Sequence, residues 1–142
     1  MGPSLREFVV LVVDDDPDNL KSAALIVEAI GCGVLCASSV EDALQIIDAG
    51  AHVDLVFSDV FMPKRSGIAL ARLVSERLPG LPIVLTTGFP DAVDSLTEIG
   101  AIPLIKPYSM ERLEAVFREQ LRIEGGPGQF PAATDTAQRA VT

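Results

Sequence analysis

Residues Phe8 to Val13 form an unbroken apolar run, mostly β-branched, that stops at three aspartates, Asp14, Asp15 and Asp16. A run of this kind predicts a strand buried on both faces. Pro17 suits the first turn of a helix, and Leu20, Ala23, Ala24, Val27 and Ile30 recur at intervals of three and four until Gly31 ends the pattern. The alternation then repeats. Val34 to Ala37 reads as a short strand, Ser39 caps a helix carrying Val40, Ala43, Leu44 and Ile47, and Asp54 to Ser58 reads as the next strand. Ser66 or Gly67 opens a helix with Ile68, Leu70, Ala71 and Val74, which Pro79-Gly80 breaks ahead of a strand over Pro82 to Thr87. Pro90 begins a weaker helix to about Ile99. Ala101 to Ile105 is a short fifth strand, and Ser109 caps a final helix through Leu113, Val116, Phe117 and Leu121.

Five strand-helix units of these lengths predict an α/β fold with an open parallel sheet covered by helices on both faces, because right-handed crossovers place helices over each. In such sheets the functional site lies beyond the carboxyl ends of the strands, where the strand order reverses. From Glu124 onward the chain turns to Gly, Pro, Ala and Thr with little apolar periodicity. The expected organisation is an N-terminal extension over residues 1–7, one domain over 8–123 and a flexible tail over 124–142. A length of 142 residues suits one domain, and no separate output domain is expected within it.

Composition narrows the function by exclusion. Hydrophobic residues make up 49% of the chain, enough to fill a core of this size, so disorder is not the default. Twenty acidic residues against eleven basic ones give a net charge of −9, which offers no basic face to nucleic acid or to an anionic membrane. No apolar run approaches the ~20 residues that cross a bilayer, and the N-terminus lacks a secretory signal, so the expected location is cytoplasmic. Cys32 and Cys36 lack partners for a zinc site, since His52 is the one histidine, and both read as packed thiols.

The strand ends carry the chemistry. The first ends in Asp14-Asp15-Asp16, the third in Asp59, the fourth in Thr87 and the fifth in Lys106. Asp14, Asp15 and Asp59 would repel strongly in a cleft unless a cation stood among them, and hard oxygen ligands with room for water favour magnesium. Asp59, on the central strand, is the best-placed nucleophile, with the paired aspartates free to hold the metal; Asp16 reads as acidic helix entry. Thr87 and Lys106 supply a hydroxyl and an ammonium that suit the oxygens of a transferred phosphoryl group.

The motifs Leu11-Val12-Val13-Asp14-Asp15-Asp16-Pro17, Asp59-Val60-Phe61-Met62-Pro63 with Gly67, Thr86-Thr87-Gly88 and Lys106-Pro107-Tyr108 together resemble the receiver domain of two-component response regulators over residues 8 to about 121. The wording around Leu81 to Phe89 is similar to receivers of hybrid sensor kinases. The resemblance implies a flavodoxin-like, doubly wound five-stranded sheet of order 2-1-3-4-5. It implies phosphorylation of Asp59 by a histidine kinase or histidine phosphotransfer protein, with Thr87 and Lys106 contacting the phosphoryl oxygens. Magnesium would be held by Asp15, Asp59 and the carbonyl of Phe61, with Asp14 acting through water, and the Lys106-Pro107 bond would be cis. The module would be a signalling switch or phosphorelay intermediate that catalyses its own phosphorylation and dephosphorylation and no other turnover. Its expected state is a monomer or weak dimer that binds a kinase and a downstream protein target.

Two departures from the family pattern matter. The usual aromatic switch position, three before the lysine, is Pro103, so signalling is expected to pass through the loop after Thr87, with Phe89 or Tyr108 in the aromatic role, or to be simple phosphate relay. Phe61 and Phe89 are bulky and flank the site, which predicts slow loss of phosphate because apolar cover excludes water. The rival readings are an unphosphorylated scaffold and an aspartate-based phosphohydrolase. The scaffold reading expects one of the acidic pair, threonine or lysine to be missing, and all are present; the phosphohydrolase reading lacks its acid, because Phe61 stands where a second aspartate belongs.

Overall fold

The computed structural model describes residues 5–62 and 64–121; residues 1–4, Pro63 and 122–142, which hold the last two residues of the expected domain and the expected tail, lie outside the described part. Strands β1 (Val9–Val13), β2 (Gly33–Ala37), β3 (Leu55–Asp59), β4 (Ile83–Thr87) and β5 (Ile102–Ile105) alternate with helices α1 (Pro17–Ile30), α2 (Val40–Asp48), α3 (Gly67–Arg77), α4 (Val93–Glu98) and α5 (Met110–Gln120). All strand pairs are parallel, and the order is β2-β1-β3-β4-β5, as expected. The order reverses at β1 and β3, so the ends of these two strands open the crevice where such sheets bind their ligands.

The helix starts follow from short polar side chains. Asp16 Oδ1 accepts from the Asp18 and Asn19 N–H groups, Ser39 Oγ from Asp42, Ser66 Oγ from Ala69 and Ser109 Oγ from Arg112, each satisfying a donor that the first helical turn leaves free. Gly31 closes α1 at φ 118°, where a side chain would be strained. The segment expected as one helix from Pro90 divides into a 3₁₀ turn, Pro90–Ala92, and the six-residue α4. Among the described residues no helix is long and apolar enough to cross a membrane.

Strand alternation sorts the interior into two layers. Leu11, Val13, Val56, Leu85 and Ile83 face α2, α3 and α4, whereas Val10, Val12, Leu55, Phe57, Val84 and Leu104 face α1 and α5. Leu5, in the stretch expected to be an extension, is 2% exposed and joins the second layer. Cys32 is buried, but Cys36 is exposed, correcting the expectation of two packed thiols: β2 is an edge strand and turns this residue to solvent. β5 is the opposite edge. Because the Lys106 N–H donates to the Thr87 carbonyl, alternate residues Ile102 and Leu104 face β4 and Pro103 turns its backbone outward. Its missing N–H thus leaves the open edge one donor poorer, a position in which a strand tolerates proline and resists pairing with another chain.

Candidate phosphoryl-accepting site

Asp59 is the last residue of the central strand. Its Oδ2 lies 2.9 Å from Lys106 Nζ, its Oδ1 accepts from the Phe61 N–H at 3.1 Å, and its side chain is 12% exposed. The lysine reaches it because β5 ends at Ile105, one residue before, and the Lys106-Pro107 peptide is cis, as the resemblance implied. Both oxygens of the carboxylate are therefore held by fixed donors. A carboxylate so held, with an ammonium beside it, sits where negative charge brought to it can be neutralised.

Asp14 follows β1 and is 9% exposed; its Oδ1 accepts from the Asp16 N–H at 3.0 Å. Burial pushes its carboxyl above the ordinary aspartate value, the Asp16 N–H opposes that shift, and the charges of Asp59 and Asp15 add to it. Asp15 is exposed beside it, and Asp16 serves as the N-cap of α1. Three carboxylates thus share one sheet edge with the single ammonium of Lys106. Among the described residues no three His, Cys, Asp or Glu side chains form a metal cluster by themselves.

Gly67 holds the other side of Asp59. Its N–H donates to the Val60 carbonyl at 2.8 Å, and a Cβ placed on it would stand 2.5 Å from the Asp59 carbonyl oxygen. Only glycine lets the start of α3 come this close to the strand end. Over the site, Phe61 and Phe89 meet edge to face with ring centroids 5.5 Å apart, and they are 65% and 57% exposed. Each ring is tethered through its backbone: Phe61 N–H to Asp59 Oδ1, and Phe89 N–H to Thr87 Oγ1 at 3.1 Å. On the opposite flank Tyr108 packs edge-on against Phe57, 6.0 Å between centroids, and burial with the nearby Asp59 and Asp14 charges raises its hydroxyl's pKa.

The structure therefore brings Asp14, Asp59 and Lys106 together on the α1/α5 side of the sheet, because alternation gives the ends of β1, β3 and β5 the same facing as Val12, Phe57 and Leu104. Thr87 is 1% exposed and, by the same alternation, belongs with Leu85 on the other side, at the top of β4. A residue that sequence reasoning had not singled out is Thr86. It is the register partner of Asp59 on β4, is 4% exposed, and lines a cavity of about 370 Å³ with Asp14, Asp59, Lys106 and Tyr108. The signal for it was the alternation itself, which gives two consecutive threonines opposite facings. His52 pairs with Asp54 at 3.0 Å far from this edge, and Arg65 bonds Glu41.

Residues 10–118 match the sequence profile of the response regulator receiver domain. The chain belongs to that family. The receiver is 32% identical over 120 residues to a probable transcriptional regulator, ycf27, of Cyanidium caldarium, covering 82% of the receiver and 47% of that protein. It is 34% identical over 134 residues to the transcriptional regulatory protein GlrR of Escherichia coli, covering 92% of the receiver and 28% of the relative. The chain thus spans about half or less of the length of the curated relatives it matches. Among solved structures, a response regulator receiver domain protein from Clostridium thermocellum superposes with a TM-score of 0.74 at 29% identity, covering 81% of this chain and 94% of that one. The receiver is a signalling module of two-component systems with the CheY-like fold, and the sheet order and the family expected from its residues both hold.

Proposed function

We propose that this receiver accepts a phosphoryl group on Asp59 from the phosphohistidine of a histidine kinase or phosphotransfer protein, and acts as a switch or relay intermediate. The ion pair between Lys106 Nζ and Asp59 Oδ2 is the observation that carries this reading. An Asp59 oxygen attacks phosphorus as the donor's P–N bond breaks, and the electron pair leaves with the ring nitrogen. Lys106 follows the charge onto the phosphoryl oxygens, and Thr87, at the neighbouring strand end, contacts them once its hydroxyl turns from the other face of the sheet. Phe61 and Phe89 keep water from the back of the new acyl phosphate.

The donor set suits magnesium. All the groups at this edge are oxygen donors, their charge exceeds what Lys106 balances, and Asp15, Asp59 and the Phe61 carbonyl with bound waters, one of them held by Asp14, would complete the octahedral shell this ion prefers. When bound, the ion would neutralise phosphoryl oxygens during transfer. A phosphate-affinity gel after incubation with a small phosphodonor tests the reading: a retarded band that a chelator abolishes is expected, and no retarded band at any magnesium concentration contradicts it.

A further inference from the structure

Thr86 poses a specific problem. It is 4% exposed and lines the cavity of about 370 Å³, and no hydrogen bond joins its hydroxyl to another described residue. A buried hydroxyl without a partner costs stability, and native proteins rarely keep one without a use. An apolar isostere, valine, would fill the same strand position without that cost.

The surroundings show what the hydroxyl is near. The register pairs Thr86 with Asp59 on one side and with Leu104 on the other, so Asp59, Thr86 and Leu104 form one row across three strands. Register partners on adjacent parallel strands carry their side chains on the same face, with strands about 4.8 Å apart. Lys106 follows Leu104 on that face by one alternation. Thr86 therefore stands in the floor beneath the Lys106–Asp59 pair, and all three line the same cavity of about 370 Å³.

In the resting protein neither oxygen of Asp59 requires Thr86: Lys106 holds Oδ2 and the Phe61 N–H holds Oδ1. Phosphorylation changes that demand. One oxygen becomes the bridge to phosphorus, the other becomes a neutral carbonyl oxygen, and an ammonium is drawn from it toward the greater charge of the phosphoryl group. The carbonyl oxygen is then short of a donor, and the register partner on the adjacent strand, Thr86, carries a neutral hydroxyl that no described residue engages.

We propose that Thr86 is a positioning residue of the phosphoryl-accepting centre, whose hydroxyl takes over Asp59 when Lys106 leaves it for the arriving phosphoryl group. The inference rests on the receiver reading above. No covalent chemistry is assigned to Thr86.

The test compares wild type with Thr86→Val, Thr86→Ser and Thr86→Ala, following phosphorylation by a small phosphodonor with magnesium by intact mass, and thermal unfolding by circular dichroism. Thr86→Val should melt no lower than wild type but gain phosphate about five- to tenfold more slowly, the worth of one neutral hydrogen bond, and Thr86→Ser should recover most of the rate. A Thr86→Val protein that is phosphorylated at the wild-type rate overturns the inference. So does a Thr86→Ser protein as slow as valine, since the methyl group and not the hydroxyl would then matter. Should valine prevent folding, alanine gives the same comparison against serine. These outcomes are read relative to a phosphorylated wild type; a wild type that takes no phosphate rejects the receiver reading itself, and this inference with it.

Discussion

Gly67 stands so close to Asp59 that a methyl group on it would lie 2.5 Å from the Asp59 carbonyl oxygen, 3.0 Å from the Val60 Cα and 3.1 Å from a Leu85 methyl. Two of these neighbours are backbone and cannot step aside cheaply. Gly67→Ala should therefore move the end of β3 and with it the nucleophile. The expected result is a loss of about 1–3 kcal/mol in denaturant unfolding, as for overpacking elsewhere, together with slower phosphorylation. Unchanged stability and rate would mean that the start of α3 does not fix Asp59.

Asp14 carries a pH dependence. Burial, with the Asp59 and Asp15 charges, raises its folded-state pKa above the ordinary 3.8, so the native state binds this proton more tightly than the unfolded chain does. The sign follows: in metal-free protein the ionised group lowers stability at neutral pH, and the loss disappears as pH falls through the folded value and then below 3.8. Asp14→Asn should thus melt higher than wild type at pH 7 without divalent ions, and the two curves should converge in acid. Added magnesium should stabilise wild type more than the variant. A variant that melts lower at neutral pH would show that Asp14 is needed for the turn it makes with the Asp16 N–H.

The Phe61–Phe89 pair predicts a durable phosphoryl group. Replacing Phe61 with Asn, or both rings with Ala, opens the flank to water and should shorten the acyl-phosphate lifetime several-fold, while the stability of the domain changes little because both rings are largely exposed. Decay followed by intact mass after removal of the phosphodonor measures it. Equal lifetimes would reject shielding by these rings.

Lys106 should matter for rate more than for fold. Its side chain is 43% exposed, so Lys106→Ala costs little in packing but leaves Asp59 facing Asp14 and Asp15 without a cation. Phosphorylation should slow by more than tenfold with a melting temperature near wild type, since one charge-assisted contact to the reacting oxygens is worth that much. A rate within twofold of wild type would remove the lysine from the mechanism.

Much of this was legible before any coordinates. The apolar run ending at Asp14 reads as an interior strand, Ser39 and Ser109 cap the helices they were expected to cap, and of the two expected openings of the third helix Ser66 is the cap. Asp59, Asp14 and Lys106 met because a parallel sheet delivers every strand end to one edge. What remained hidden depends on register and on neighbours. Thr86 and Thr87 look alike in the sequence, and only the pairing of Asp59 with Thr86 shows which of them shares its face. Cys36 was misjudged and the burial of Leu5 was not foreseen for a similar reason, since edge position and the packing of a preceding segment have no periodicity to announce them. The tethering of both Phe61 and Phe89 by their own backbone N–H groups to Asp59 and Thr87 is likewise a matter of loop conformation.

The central claim is that Asp59 is the phosphoryl acceptor of a competent receiver. Intact mass after incubation with a small phosphodonor and magnesium, for wild type and Asp59→Asn, tests it most directly. The account predicts a gain of one phosphate by wild type, none by Asp59→Asn, and none by either when magnesium is chelated. Equal phosphate on both proteins, or none on a folded wild type that binds magnesium, would contradict it.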